Sequence, residues 1–108
     1  MERLTKSSQF LKVRDLGFSV KRTAFWIQVS LADDQISKLG VIASKRVGNA
    51  VHRNRAKRLI RELYRKHKSY VPNYRHTVVI PRKAIFKISY TELDYTFKDA
   101  LIKASNIL

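Results

Sequence analysis

The sequence predicts an α+β domain in which helices pack against one small β-sheet. The chain has 108 residues and 44% of them are hydrophobic, which is enough for the core of one domain. Segments with two-residue alternation and segments with helical periodicity follow one another as helix, two or three strands, helix, strand, helix. The sequence contains no repeats and no Pro/Gly-rich linkers, so we expect residues 1–108 to form a single domain.

The first predicted element is a short helix over about residues 8–15. Ser7 and Ser8 can cap its N-terminus, and Phe10 begins its apolar positions. Gly17 follows the last of these positions and is expected to end the helix.

Strand signals follow this glycine. In the run FWIQVSL, apolar residues alternate with others, which is typical of a strand with one face in the core. The inward-facing set is Phe25, Ile27, Val29 and Leu31, and the partly open set is Trp26, Gln28 and Ser30. The polar run ADDQISK then predicts a turn that contains the adjacent acids Asp33 and Asp34, and the run KLGVIASK predicts another strand.

The second half of the chain predicts a basic helix, a strand and a final helix. The run HTVVIPRK is a short strand that Pro81 limits. Ser89 and Glu92 have the spacing of a capping box. The apolar positions after them repeat at helical spacing down to the C-terminus: Leu93, Phe97, Ala100, Leu101 and Ala104.

Positive charge is the most unusual property of the chain. Lys and Arg number 23 against 8 acids, which gives a formal net charge of +15. This excess destabilises the folded state through self-repulsion, so a polyanionic partner explains it better than solubility alone. Cysteine is missing from the sequence, which excludes disulfides and thiolate metal sites. No signal peptide and no apolar run of about 20 residues is present, so we expect a cytoplasmic protein without a membrane partner.

Residues 50–67 divide into two faces when they are placed on a helix that advances about 100° per residue. The apolar face holds Ala56, Leu59, Ile60, Leu63 and His67, and the cationic face holds Arg53, Asn54, Lys57, Arg58, Arg61 and Arg65. Arg55 lies near the boundary, and Gly48 and Asn49 can supply a turn and a cap. Ordinary solvent-exposed helix faces mix charges, whereas Glu62 is the only acid between Asp34 and Glu92.

Nucleic acid is the partner that best fits this cationic face. Arg predominates over Lys, and the planar guanidinium suits bidentate contact with phosphate. A helix that lies on a membrane needs a broad apolar face, whereas this apolar face is narrow and needed by the core. No helix-turn-helix pair surrounds the basic helix, which favours RNA over duplex DNA. A DNA-binding or architectural protein stays an alternative at this point.

The run SKRVGNAVHRNRAKRLIRE, residues 44–62, resembles the signature of the bacterial ribonuclease P protein subunit, with RNR at 53–55 as its core. The resemblance continues in FLKV, LGVIASK and VVIPRKA, and it covers essentially the whole chain. It implies a two-layer α/β sandwich of order α-β-β-β-α-β-α, similar to domain 2 of ribosomal protein S5. The βαβ crossover would be left-handed, against the general rule.

The resemblance also implies a function. The chain would be the protein subunit of a ribonucleoprotein endonuclease that matures the 5′ end of tRNA, and it would bind the catalytic ribonuclease P RNA and precursor tRNA. The RNA subunit would carry out the hydrolysis with Mg²⁺ that is bound mainly by that RNA, and no organic cofactor is implied. The alternative is a basic RNA-binding module of ribosomal type without a role in processing.

Two sets of binding residues follow from the resemblance and the helix faces. Contacts to the RNA subunit are expected from Lys45, Arg46, Asn49, Arg53, Asn54, Arg55, Lys57, Arg58, Arg61 and Arg65. A cleft for the 5′ leader is expected from Phe10, Arg14, Trp26 and Gln28. Arg14 and Gln28 stand where the family commonly has aromatic residues. Trp26 is expected either to stack on a leader base or to pack in the core.

No catalytic or metal-binding residue is expected in the protein itself. Nuclease chemistry with two metals needs converging carboxylates, whereas the eight acids are scattered: Glu2, Asp15, Asp33, Asp34, Glu62, Glu92, Asp94 and Asp99. The histidines His52, His67 and His76 lack the spacing of metal ligands. A nuclease that acts without RNA is therefore disfavoured.

Overall fold

The computed structural model describes residues 2–32 and 36–106, and these follow the predicted order of elements. The helices are α1 (Ser7–Leu16), α2 (Ala50–His67) and α3 (Tyr90–Asn106), and the strands are β1 (Phe18–Lys21), β2 (Phe25–Leu31), β3 (Lys38–Val41) and β4 (Arg75–Pro81). Short 3₁₀ helices cover Lys68–Tyr70 and Lys83–Phe86. The predicted α+β class is confirmed. The turn expected around Asp33 and Asp34 lies outside the described residues.

The four strands form one mixed sheet in the order β1-β2-β4-β3. Strand β2 is antiparallel to β1 and β4, whereas β3 is parallel to β4. A parallel pair needs a crossover connection, and α2 provides it. The predicted βαβ unit is therefore present, and its left hand stays a prediction from the resemblance.

The main core lies between the sheet and the pair of helices α2 and α3. Its buried members are Phe25, Ile27, Val29, Leu39 and Val79 from the strands and Ala56, Ile60, Leu63, Tyr64, Leu93, Phe97, Ala100, Leu101 and Ala104 from the helices. The rings of Phe25 and Phe97 have centroids 5.4 Å apart. Helix α1 covers part of the opposite sheet face, where Leu4, Val13 and Val78 form a smaller cluster. The predicted apolar stripe of α3 is confirmed.

The end of β2 departs from the predicted alternation. The sequence places Leu31 in the core, but 56% of this residue is exposed. Leu31 lies opposite Arg75, and the Arg75 Nε–H donates to the Ser105 carbonyl at 3.2 Å. A polar contact, and not apolar packing, therefore closes this end of the sandwich. Ser30, which was predicted to be partly open, is buried opposite the buried His76.

Helix α1 confirms one predicted boundary and corrects the other. Its N-cap is Lys6 and not a serine, and the Lys6 N–H donates to Gln9 Oε1 at 3.4 Å. The predicted end at Gly17 is confirmed. The φ of Gly17 is −82°, so its backbone does not require glycine. A Cβ there would lie 2.3 Å from the Val13 carbonyl oxygen and 2.8 Å from that of Val29, so glycine allows α1 to approach β2 closely.

Helix α2 begins as predicted and packs with two changes. Asn49 caps it, because its Oδ1 accepts the His52 N–H at 3.0 Å. Tyr64, which was not among the predicted residues of the apolar face, is buried with them. Leu59, which was among them, is only half-buried.

The predicted inward position of His67 is confirmed, and this residue joins α2 to α3. His67 is buried, and its Nε2 lies 2.7 Å from Asp94 Oδ1. Lys66 Nζ lies 3.1 Å from Asp94 Oδ2. The hydrogen bond from His67, followed by that from Lys66, lowers the pKa of the Asp94 carboxyl from its ordinary value. The carboxylate of Asp94 therefore stabilises the contact between the two helices.

The variant Asp94→Asn should lower the melting temperature by about 2–6 °C at neutral pH, because it removes the charged partner of His67 and Lys66. A carboxyl whose pKa is lower in the folded state adds stability above the ordinary carboxyl pKa of about 4 and loses it as the pH falls through the folded value. The difference from wild type should therefore shrink below about pH 4. Thermal unfolding measured across this range by circular dichroism tests both points.

Asp15→Asn is the matched control, because Asp15 pairs with Arg14 on the surface, where both side chains are at least 60% exposed. It should change the melting temperature much less. Equal effects of the two variants would mean that Asp94 does not join the helices.

Candidate RNA-binding surfaces

Five of the predicted cationic-face residues share one surface of α2. Asn54, Lys57, Arg58, Arg61 and Arg65 line a shallow depression of about 410 Å³ together with Arg3 and Glu62. These residues are called the α2 surface below. Glu62 is the only acid in this lining, so the surface is strongly positive and suited to phosphates.

Arg3 is a member of the α2 surface that the sequence analysis missed. The N-terminal segment runs beside β3, where the Leu4 N–H donates to the Leu39 carbonyl and the Leu39 N–H donates to the Glu2 carbonyl, both at 3.0 Å. Leu4 is buried and anchors this segment. Desolvation, followed by the charge of Arg3, lowers the pKa of Arg61. The two guanidinium groups therefore repel each other, and a phosphate beside them would relieve the repulsion.

The other predicted contacts to the RNA subunit lie elsewhere. Arg53 is half-buried, and its Nη1–H donates to the Gly48 carbonyl at 3.1 Å, so it supports the turn before α2. The Oδ1 of Asn49 is engaged as the helix cap. Arg55 lines a separate depression with His52, Lys83 and Lys87. Lys45 and Arg46 are exposed in the turn that precedes α2. The ten residues are thus spread over more than one surface.

The four residues predicted for a leader cleft lie together in one groove. Phe10 and Arg14 come from α1 and Trp26 and Gln28 from β2. With Ser7, Leu11, Ile42 and Ile80 they enclose about 580 Å³. Helix α1 forms one wall of this groove and the open sheet face forms the other, because α1 covers only part of that face. The lining is mainly apolar.

Phe10 forms the base of the groove, where its ring packs against the backbone of Gly40. Its ring contacts the small cluster beneath α1. A Cβ at Gly40 of β3 would lie 2.4 Å from Phe10 Cε1 and 2.7 Å from Cζ. Glycine inside a strand often marks such a close approach, so the sequence held a signal for this contact that was not used.

Arg14 can reach a ligand in the groove at little cost. Its Nε–H donates to Asp15 Oδ1 at 3.0 Å, and the two side chains are 64% and 60% exposed. A pair as exposed as this contributes about 0–1 kcal/mol. A phosphate could therefore replace the Asp15 carboxylate as the partner of Arg14.

Trp26 lies at the groove and not in the core, which decides between the two positions expected for it. The indole is half-buried on the α1 side of the sheet. Lys21 Nζ lies 4.4 Å from the ring centroid, and Arg82 Cζ lies 4.7 Å from it. Each of these cation–π contacts contributes about 0.5–1 kcal/mol at an exposed site.

Acidic side chains in the described ranges form no metal site. No group of three or more His, Asp or Glu residues there is arranged to hold a metal ion. Asp99 Oδ2 instead lies 3.1 Å from Arg22 Nη2 and 3.2 Å from Lys103 Nζ, and these contacts lower its pKa. Across residues 2–32 and 36–106, no helix is long and apolar enough to cross a membrane.

Comparison with known proteins identifies similar chains. Residues 1–105 match the sequence model of the family described as Ribonuclease P. The ribonuclease P protein component of Desulforapulum autotrophicum is 38% identical over 93 residues, which are 85% of this chain and 79% of that protein. That of Clostridium kluyveri is 36% identical over 104 residues, which are 94% of this chain and 93% of that protein.

Solved structures agree with these matches. The ribonuclease P protein of Staphylococcus aureus superposes with a TM-score of 0.83 at 28% identity, covering 98% of this chain and 99% of that one. The protein of Thermotoga maritima gives a TM-score of 0.82 at 27% identity, covering 95% and 97%.

The variant Gly40→Ala should lower the free energy of unfolding by about 1–3 kcal/mol, because the added Cβ collides with the Phe10 ring. In a Phe10→Ala background the same substitution should cost much less, since the colliding ring is gone and only Leu4 Cδ1, 3.1 Å from the added Cβ, stays close. The two changes should therefore be strongly non-additive in a double-mutant cycle measured by denaturant unfolding. An equal cost in both backgrounds would show that Phe10 does not lie on Gly40.

Proposed function

The chain belongs to the Ribonuclease P family, and on this premise we propose that its groove holds the 5′ leader of precursor tRNA while its α2 surface docks on the catalytic RNA. The chain is the protein subunit of ribonuclease P, the endoribonuclease that matures the 5′ end of tRNA. This sets aside the alternatives of a ribosomal-type module and an architectural DNA-binding protein. One observation carries the proposal: a cationic surface and an apolar groove occupy different sides of one small domain.

The α2 surface has the chemistry of a docking site for a folded RNA. Apart from that of Arg3, its guanidinium groups project from one helix, so little backbone order has to be gained on binding. Arg3 and Arg61 lie close enough for their charges to repel, and RNA phosphates would compensate both. Contacts of this kind fix position and orientation without reading a base sequence.

The groove has the chemistry of a site for single-stranded RNA. Unpaired RNA exposes base faces that pack on apolar and aromatic side chains, and Phe10, Leu11 and Ile42 offer such a surface. Gln28 can hydrogen-bond to a base edge, and Arg14 can contact a phosphate. A leader is single-stranded and is missing from mature tRNA, so this groove would distinguish substrate from product.

Hydrolysis is assigned in this proposal to Mg²⁺ that is held mainly by the RNA subunit. The described acids support this assignment, because Asp94 and Asp99 are engaged by basic side chains and do not converge on a common point. The protein would contribute binding and orientation of the leader.

The variants Arg58→Ala and Arg3→Ala should each weaken binding to a bacterial ribonuclease P RNA by about three- to tenfold, equivalent to about 0.7–1.4 kcal/mol. Each should also reduce the slope of log affinity against log salt by roughly one unit, because one phosphate contact is lost. Filter binding across a salt series measures both. Normal affinity for both variants at physiological salt would mean that RNA does not dock on the α2 surface.

Two controls separate binding from folding. Lys103→Ala removes one charge from α3, where Lys103 pairs with Asp99, and it should leave RNA binding nearly unchanged. Ile60→Ala opens a cavity at a fully buried position and should cost roughly 2–5 kcal/mol of stability. Ile60 tests folding better than Leu59, because Leu59 is only half-buried. Arg53 is unsuitable for the binding test, because its side chain supports the turn at Gly48 and its loss would also affect folding.

The variant Trp26→Ala, assembled with ribonuclease P RNA, should bind precursor tRNA about tenfold more weakly than wild type, equivalent to about 1.4 kcal/mol. Mature tRNA should bind nearly as before, because it has no leader for the groove to hold. Equilibrium binding of the two tRNAs to the assembled enzyme makes the comparison. Equal losses for both would place the leader outside the groove.

A further inference from the structure

We propose that Trp26 is a positioning residue that holds Lys21 and Arg82 as a phosphate-binding pair at one end of the groove. The ligand of this pair is the sugar-phosphate backbone of single-stranded RNA, and not a base. The inference rests on the proposed function, because it takes the leader as the RNA in the groove. It differs from stacking, the role that the sequence suggests for an exposed tryptophan.

The sheet brings the two cations to Trp26 from different strands. Strand β2 lies between β1 and β4, and Trp26 pairs with Lys21 of β1 and with Ile80 of β4. Arg82 is two residues beyond Ile80 and shares its sheet face. The Arg82 N–H donates to the Ala24 carbonyl at 2.9 Å, which extends this pairing past the end of β4. The cations therefore approach the indole from opposite sides of β2.

Neither cation is neutralised by an acid in the part of the chain that the structure describes. Lys21 and Arg82 form no salt bridge with a carboxylate there, and the indole is the partner of both charged groups. The neighbouring Arg22 is different, because its Nη2 lies 3.1 Å from Asp99 Oδ2. An aromatic ring orders a cation without removing its charge, so Lys21 and Arg82 keep their charge for a ligand.

The residues that line the surface change from mainly apolar to basic at Trp26. On one side of the indole is the apolar groove with Phe10 and Ile42. On the other is a depression of about 370 Å³ that Trp26 lines together with Arg46, Arg82 and Lys83. An RNA strand that leaves the groove must pass the indole to reach this basic depression, so its phosphates would meet Lys21 at the indole and Arg82 at the depression.

Stacking of a base on Trp26 is disfavoured by the same geometry. A base needs an open ring face, whereas cations lie 4.4 and 4.7 Å from the ring centroid. A base that stacks on a ring face occupied by either cation would displace that cation, and both its cation–π contact and its charge as a phosphate ligand would be lost. The ring therefore contributes to binding of the RNA sugar-phosphate backbone, and recognition at this point is independent of base identity.

The first experiment measures how the binding of precursor tRNA by the assembled enzyme depends on salt. Trp26→Leu changes no charge and keeps an apolar side chain, yet it should weaken binding about three- to tenfold and reduce the slope of log affinity against log salt by about one unit. Lys21→Gln and Arg82→Gln should each reduce the slope similarly, and Trp26→Phe, which keeps a ring, should restore most of it. Lys103→Gln is the charge-matched control and should leave the slope unchanged. An unchanged slope in Trp26→Leu would overturn the proposal.

The second experiment uses a precursor tRNA whose leader lacks all its bases but keeps its sugar-phosphate backbone. If Trp26 positions cations, Trp26→Leu should weaken binding by the same factor for the abasic and the ordinary leader. If Trp26 stacks, the effect of the variant should disappear with the abasic leader, and the proposal would be wrong.

The two proposals fail in different ways. Equal weakening of precursor and mature tRNA by Trp26→Leu would refute the leader groove itself. A loss confined to precursor tRNA, with an unchanged salt slope, would keep the groove and refute only the positioning role.

Discussion

Repulsion between like charges is the constraint on which the organisation of this domain depends. A net charge of +15 on 108 residues opposes compaction, and two of the acids form ion pairs that join elements of the fold. Asp94 joins α2 to α3 through His67 and Lys66, and Asp99 joins α3 to the β1–β2 turn through Arg22. Neither of these acids lies on the α2 surface. Glu62 is the only acidic residue that lines that surface. The acids that join the elements of the fold and the proposed RNA-binding surface thus lie on different parts of the molecule.

The sheet keeps these two tasks apart. One of its faces is covered by α2 and α3 and carries most of the core, while α1 covers the other face only in part. Two glycines allow α1 to lie this close: Gly17 at the carbonyls of Val13 and Val29, and Gly40 beneath the Phe10 ring. The uncovered remainder is the groove. Its shape therefore follows from how α1 is docked and needs no separate loop.

The sequence predicted what depends on local periodicity and failed where distant segments meet. The stripe of α3, the cap at Asn49 and the inward position of His67 follow from spacing within one helix and are confirmed. Leu31 is exposed because Arg75 and the end of α3 close the sandwich there. The addition of Arg3 to the α2 surface depends on a bridge to Leu39, and the setting of Trp26 depends on residues from two other strands. Alternation alone contains none of these contacts.

Charge repulsion in the free protein also links its stability to its partner. A ligand that binds only the folded chain stabilises it by mass action, and a polyanion additionally removes the repulsion that opposes compaction. Arg61 illustrates the local form of this effect, because burial and then the charge of Arg3 lower its pKa, and an anion beside the two side chains would offset this. The N-terminal segment that carries Arg3 is held by backbone hydrogen bonds at Leu39 and by buried Leu4. Arg3 therefore stays beside Arg61 in the free protein. On the proposed function, the residues that repel each other in the free domain would be the ones that stabilise its complex with RNA.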